Sequence, residues 1–361
     1  MPSRWVLNPT GYLVAKSKRA NAKLCMSSWH TISLLSVLRA VMEVSDVRVG
    51  IIGAGGMGRA HAMQLRQIEG VEIVAVCDVD ESRAKALADE LNAAAFKDHR
   101  DLLSTDVDAV WVCTPDYAHK EPVMDAAAAG KHIFCEKPIA NTIEDAEAMV
   151  EAVTKSGVIN MIGYVLRFYP TFSEVRGRFA SGELGELVTA WIRRFMPWTP
   201  RDWYGDPKFS GGIAIDFSTH DVDWLMWVGG AVKCVYGRTA MVGTQVENDV
   251  WAILTFANGG TGVVGDSFIA SIGGACFGIV GSAGTAMVEG DGTVLVKLRS
   301  EQEVQRITPS GVNPILAEDA YFVECVREGK SAEPDLRWGK EVLKVTIAIC
   351  QSSASNEVVW L

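Results

Sequence analysis

The apolar run VRVGII at 47–52 opens directly into GAGGMG at 53–58, and this junction restricts the fold more than any other feature of the chain. Glycines at 53, 55 and 58 allow a tight turn, a close backbone approach to a pyrophosphate and close packing of helix on strand. The helix-like GRAHAMQLRQI begins at the last of them and would point its unpaired N–H groups at phosphates. A second apolar run, VEIVAVC at 71–77, ends in Asp78, 20 residues past Gly58. An acid there accepts hydrogen bonds from ribose hydroxyls and repels a 2′-phosphate, so NAD is expected over NADP. Arg83 lies close enough in sequence to leave NADP use open.

Further apolar runs follow: DAVWVC (108–113), HIFC (132–135) and VINMIGYV (158–165), with Ala-rich helical stretches between them. Strands apolar nearly throughout, alternating with helices, predict a doubly wound parallel sheet, a Rossmann domain over residues 46–165. Ligands of such sheets sit beyond the carboxyl ends of the strands. Two motifs fall there, TPDYAH (Thr114 to His119) and the triplet Glu136-Lys137-Pro138. Charge at the end of a buried strand is costly unless it meets a partner or a ligand. Lys137 is therefore expected in the cleft, donating to a substrate oxygen, with a pKa lowered by burial. The alternative is a structural pair with Glu136 or another acid. Pro138 keeps Lys137 out of the helical region and makes the bond between them a candidate for cis geometry. Thr142 and Asp145 suggest a capping box for the next helix.

Past Gly163 strand-like runs follow one another with few helices, among them LVTAWIRRF, DVWAILTF and CFGIVGSAGTAMVEG. This predicts an α+β domain with a large, mostly antiparallel sheet over residues 166–361. One helix, GGIAIDFSTHDVDWLMW at 211–227, interrupts them and carries Asp216 and His220 four residues apart on one face. A carboxylate beside an imidazole would fix its tautomer and stabilise its charged form, as a general base requires. A solvent-facing ion pair is the alternative, and Asp221 and Asp223 are read as structural. MPWTPRDWYGDP (196–207), with two Trp and an Arg, suits either contact with a sugar ring or packing.

Six of the 34 basic residues, and no acid, lie in residues 1–41, so the rest sets 28 basic against 44 acidic residues. An acidic body argues against a nucleic-acid groove and for a small-molecule ligand. The basic leader, residues 1–45, is expected to be a disordered extension or a non-native stretch. An organellar presequence is the second reading, and a secretory signal is disfavoured by Arg39 within TISLLSVLRAVM. No apolar run is long enough to span a membrane. The eight cysteines stand singly, without zinc spacings, which suits a reducing cytoplasm.

Five features in order resemble the Gfo/Idh/MocA oxidoreductases, a family of inositol 2-dehydrogenases, glucose–fructose oxidoreductase and many sugar dehydrogenases. They are GAGGMG, the CTP turn with His119, EKP, GYVLRFYP, and SGG leading to Asp216 and His220. The resemblance covers about residues 47–361. It implies a catalytic set of Lys137, Asp216 and His220. It implies cofactor contacts from Gly53, Gly55, Gly56, Met57, Gly58, Asp78, Thr114, Pro115, His119 and Glu136. Arg167 would join Lys137, Asp216 and His220 at the substrate. No metal is expected, since Lys137 can itself stabilise an oxyanion. The expected activity is NAD-dependent oxidation of a secondary alcohol on a polyol or sugar ring, most like an inositol 2-dehydrogenase. An NAD-dependent glycosidase and a non-catalytic cofactor-sensing regulator are the alternatives. The resemblance also implies a homodimer or homotetramer built through the open face of the large sheet. The leader has no counterpart in the plain cytosolic members, and its single Lys18-Arg19 lacks the twin arginine of secreted ones.

Overall fold

Side chains alternate between the faces of a strand, so a strand apolar at every position must be covered twice. In the computed structural model, which describes residues 4–7, 13–16, 46–198, 202–290 and 292–361, this holds for the first sheet. Its strands are β1 (Val47–Ile52), β2 (Val71–Cys77), β3 (Ala94–Phe96), β4 (Ala109–Val112), β5 (His132–Glu136) and β6 (Asn160–Gly163). All pair in parallel, in the spatial order β3-β2-β1-β4-β5-β6. Adjacent residues of β1 separate accordingly: Val49 and Ile51 join one buried cluster, Ile52 the other. The expected leader lies mostly outside the described residues; within it, strands Arg4–Leu7 and Leu13–Lys16 pair antiparallel.

Helix α1 (Gly56–Leu65) begins in the glycine turn, and α2 (Glu81–Leu91) is N-capped by Asp80, whose side chain accepts from the Ser82 and Arg83 N–H groups. α3 (His99–Leu103), α4 (Lys120–Ala128) and α5 (Ile143–Ser156) follow in the crossovers. Thr142 caps α5 through Asp145 N–H at 3.2 Å, and Gly157 ends it at φ +71°. Only half of the expected capping box forms, because the Asp145 carboxylate turns to Lys120 Nζ at 2.7 Å.

The second sheet has nine strands: β7 (Leu187–Phe195), β8 (Val232–Ala240), β9 (Asp249–Phe256), β10 (Thr261–Ser267), β11 (Gly274–Gly281), β12 (Gly284–Glu289), β13 (Thr293–Leu298), β14 (Gln305–Ile307) and β15 (Val359–Trp360). They lie in the order β14-β13-β12-β11-β7-β10-β9-β8-β15, antiparallel except where β7 meets β10. Strand β9 shows why one face is wet: Val250, Ala252, Leu254 and Phe256 are buried, whereas Trp251 and Ile253 are exposed. The buried face is covered by α6 (Pro170–Ala180), by α7 (Gly212–Asp216) with α8 (Thr219–Gly229), and by α10 (Leu336–Ser355). Before α10 comes α9 (Pro314–Glu328), which returns to the first sheet. There Phe322 packs edge-on against Trp111, which stacks on Phe134, and the Trp111 indole donates to Asp319 at 2.9 Å. The far end of the chain thus completes one layer of the nucleotide-binding half.

The single helix expected at 211–227 is two helices, α7 and α8, broken at Phe217 and Ser218. An unbroken helix would have aligned Asp216 with His220; here the Asp216 carboxylate accepts from Ser210 and Gly211 instead.

Candidate active site

The glycine turn has the geometry that a dinucleotide needs. Gly53 sits at φ +99°, and a Cβ added there would lie 2.6 Å from the Cys113 main chain. One added at Gly58 would meet the Gly53 carbonyl at 1.8 Å, whereas Gly55 and Gly56 face open space. Turn, helix packing and close approach are thereby divided among the glycines, and no side chain caps the start of α1. Met57 stands exposed in its first turn. Asp78 accepts from the Ala54 and Asp80 N–H groups, each at 2.9 Å, so its carboxylate is held against the turn. Thr114 and Pro115 lie at the end of β4, against which Gly53 packs. These residues fit NAD.

Two residues expected at the cofactor instead turn their side chains into the protein. His119 is buried, with Nε2 2.9 Å from the Thr114 carbonyl and Nδ1 3.0 Å from the Pro138 carbonyl, and staples one strand-end loop to the other. Burial pushes its pKa below the ordinary value. Glu136 accepts from Lys137 N–H at 3.0 Å and lies 2.9 Å from His61 Nε2, its charge met inside the fold. Behind it, His61 Nδ1 lies 2.7 Å from Asp319.

Lys137 reaches the cleft from the end of β5, and its bond to Pro138 is cis. Its ammonium donates to the Asp216 main-chain carbonyl at 2.9 Å, across to α7. Burial pulls its pKa down as expected, but Tyr204, Glu136, Asp216 and Asp116 together outweigh burial and raise it above the usual lysine value. The expectation of a lowered pKa is corrected by that ring of acids. Tyr204 belongs to a single turn at Asp202–Gly205, where Trp203 packs edge-on against Tyr117 of the Rossmann half. Nearby, Asn141 donates to the Phe209 carbonyl at 2.5 Å, a second tie across the cleft. Arg201, which was grouped with these aromatics, lies outside the described residues.

Asp216 does not orient His220. Its carboxylate accepts from Ser210 Oγ at 2.5 Å and Gly211 N–H at 3.1 Å, and it faces the carboxyl of Asp116. His220, partly accessible, has an Nδ1 that is buried without a hydrogen-bond partner among the described residues. Burial, then Lys137 and Arg194, push its pKa well below the usual histidine value. Burial, reinforced by its cationic neighbours, favours the neutral imidazole, where the sequence spacing suggested a stabilised charge.

Arg167 is also corrected. Its side chain is 8% exposed, donates from Nε and Nη2 to Asp223, and lies 5.0 Å from the ring centres of both Trp227 and Trp338. A guanidinium paired and stacked this way braces α8 against α10 rather than presenting itself to a ligand. The structural reading of Asp223 and Asp221 fits this packing, since Asp221 pairs with Arg194 at 2.7 Å.

Two residues at the site escaped the sequence reading. Asp116 stands inside TPDYAH, and an acid at the carboxyl end of a parallel strand was a usable signal. Burial first, then the neighbouring Asp216 carboxylate, push its pKa up to about 8. Tyr204 carried no such signal, because its approach to Lys137 depends on how the loop folds back.

The description "Oxidoreductase family, NAD-binding Rossmann fold" matches residues 47–164, and "GFO/IDH/MocA C-terminal domain" matches residues 172–287. The chain belongs to the Gfo/Idh/MocA oxidoreductase family. Among its relatives, the myo-inositol 2-dehydrogenase of Thermotoga maritima is 32% identical over 61% of this chain and 68% of that protein. The inositol 2-dehydrogenase of Acidothermus cellulolyticus is 30% identical over 87% and 94%. A levoglucosan dehydrogenase solved with NADH and levoglucosan superposes with TM-score 0.83 over 88% of this chain and 99% of that one. At 23% identity that likeness speaks for the fold. This member of the Gfo/Idh/MocA family is an NAD-binding dehydrogenase, and among its described residues no helix is long and apolar enough to cross a membrane.

Proposed function

We propose that the protein oxidises a secondary alcohol on a polyol or sugar ring, with an inositol as the first substrate to test. The observation that carries this reading is the convergence of an ammonium, Lys137, and a neutral imidazole, His220, at the break between α7 and α8. The names of the relatives direct it to polyols. Bound NAD supplies the hydride acceptor. Lys137, which has donors to spare beyond its bond to Asp216, holds the substrate oxygen and balances the negative charge that grows on it. His220 takes the hydroxyl proton, so the carbinol loses one hydride and one proton and becomes a carbonyl. Asp216 serves by presenting its main-chain carbonyl to Lys137 and its carboxyl to Ser210 and Asp116. A screen of inositols, aldoses and sugar acids with NAD and NADP, followed by absorbance of the reduced nicotinamide, tests this. NADH formation on free polyols supports the dehydrogenase. Cleavage of glycosides without net NADH would point to the glycosidase instead, and binding without turnover to a cofactor sensor.

The open face of the large sheet is proposed as the contact between copies. Trp251 and Ile253 are 44% and 51% exposed there, with Tyr236, which pairs with Ile253 from β8, also exposed. Apolar side chains in a row on a sheet face mark an interaction surface. Trp251→Glu with Ile253→Glu should lower the mass measured by light scattering toward that of one chain. An unchanged mass would move the contact elsewhere.

A further inference from the structure

Two carboxyl groups lie buried beneath Lys137, and one of them has no role in the reading above. Asp116 Oδ1 accepts from Tyr117 N–H at 2.7 Å, while Oδ2 is buried with no hydrogen-bond partner among the described residues. Facing it is Asp216, whose oxygens already accept from Ser210 and Gly211. Both side chains are almost sealed from solvent, at 3% and 1% exposure. Neighbouring carboxyls in such a place resist being ionised together. A proton between them gives the orphaned Oδ2 its partner and removes the repulsion.

We propose that Asp116 is a positioning residue of this site, sharing one proton with Asp216 so that a single negative charge from the pair faces Lys137. Among the described residues, the other charged and titratable groups around the pair are Lys137 and Glu136 from the end of β5 and Tyr204 from the 202–205 turn, with Glu247 and, from α10, Cys350 on the far side of Asp216. One charge balances the ammonium and leaves it free to serve a substrate oxygen. Loss of the shared proton would place a second negative charge beside the oxygen on which negative charge must grow, and would slow oxidation. The pKa of His220 is held far below this range, whereas those of Tyr204 and Lys137 are held above their usual values. Burial and the Asp216 charge put the ionisation of Asp116 at about 8, between them.

The catalytic consequence rests on the dehydrogenase reading; the shared proton does not. The pH profile of kcat/KM should fall through an ionisation near 8 in the native enzyme, and Asp116→Asn, which leaves the pair no second negative charge to gain, should lack that limb. Turnover-free infrared spectra at pH 7 supply the second readout. The native-minus-variant difference should contain the carbonyl band of one protonated carboxylic acid. Asp216→Asn, examined by infrared alone, should lose the same band and stands in if Asp116→Asn does not fold. Retention of the band in the variants would overturn the shared proton. Loss of the band with superimposable pH profiles would overturn the positioning role. A protein that oxidises no polyol or sugar but loses the band has the pair without the proposed reaction, so the two failures are told apart.

Discussion

His61 and His220 make opposite use of one side chain. His61 is sealed between Glu136 and Asp319, 2.9 and 2.7 Å from its two nitrogens, and these carboxylates overcome burial to raise its pKa well above the ordinary value. His220 lies at the cleft with Nδ1 unpartnered and with Lys137 and Arg194 as its charged neighbours, so its pKa falls. Burial lowers both; the neighbours decide the outcome. The imidazolium supports the strand end from which Lys137 projects, through Glu136 and its bond to Lys137 N–H. The imidazole in the cleft is left neutral and able to take a proton. Structural and chemical roles are separated by where the carboxylates are placed.

The largest expected effect tests the cleft side of this comparison. Lys137→Ala and His220→Ala should each lower kcat about 10²- to 10⁴-fold, the range for a positioned acid–base or oxyanion-stabilising group. Turnover is to be followed on the polyol chosen by the substrate screen, with NADH binding measured alongside to show that the cofactor site persists. If His220→Ala keeps native kcat, the neutral imidazole is not the base.

On the buried side the damage should be to folding. His61→Leu removes the cation that Glu136 and Asp319 share and should cost about 3–5 kcal/mol in denaturant unfolding, the range for breaking a buried pair. His220→Leu strands no carboxylate and should cost far less. Equal losses at the two positions would mean that the pairing around His61 contributes little.

The sequence reading reached the parallel sheet, the glycine turn and Lys137 because each is local: a strand, its turn and its end residue are consecutive. The relation expected between Asp216 and His220 was taken from helical spacing, and the interruption of the helix at Phe217 and Ser218, with Ser210 and Gly211 as partners of the Asp216 carboxylate, lay outside what spacing shows. Arg167 was placed at the substrate although Asp223, Trp227 and Trp338 enclose it, partners up to 171 positions away that no local pattern announces. The charge states were least legible. Whether a buried histidine is charged depends on groups brought from other elements, such as Asp319 from α9 for His61 and Arg194 from β7 for His220.

The smallest effect is the one that sharpens the comparison most, because its sign differs between the two histidines. An unfolded histidine titrates near 6.5. His61 has a raised folded-state pKa, so its contribution to stability is complete below about 6.5 and is lost as pH climbs toward the folded value. The folded-state pKa of His220 is depressed, so the native protein loses stability as pH falls below about 6.5, where the unfolded chain takes up a proton that the fold does not. Replacing His220 by Gln removes that loss. Calorimetry between about pH 5 and 8 should show the Tm of His220→Gln, relative to native, rising toward the acid side by a few degrees, on the order of 1 kcal/mol. His61→Gln should show the reverse slope, its deficit widest in acid. Parallel slopes for the two variants would mean that the two rings share one charge state, and the division between a charged support and a neutral base would be lost with it.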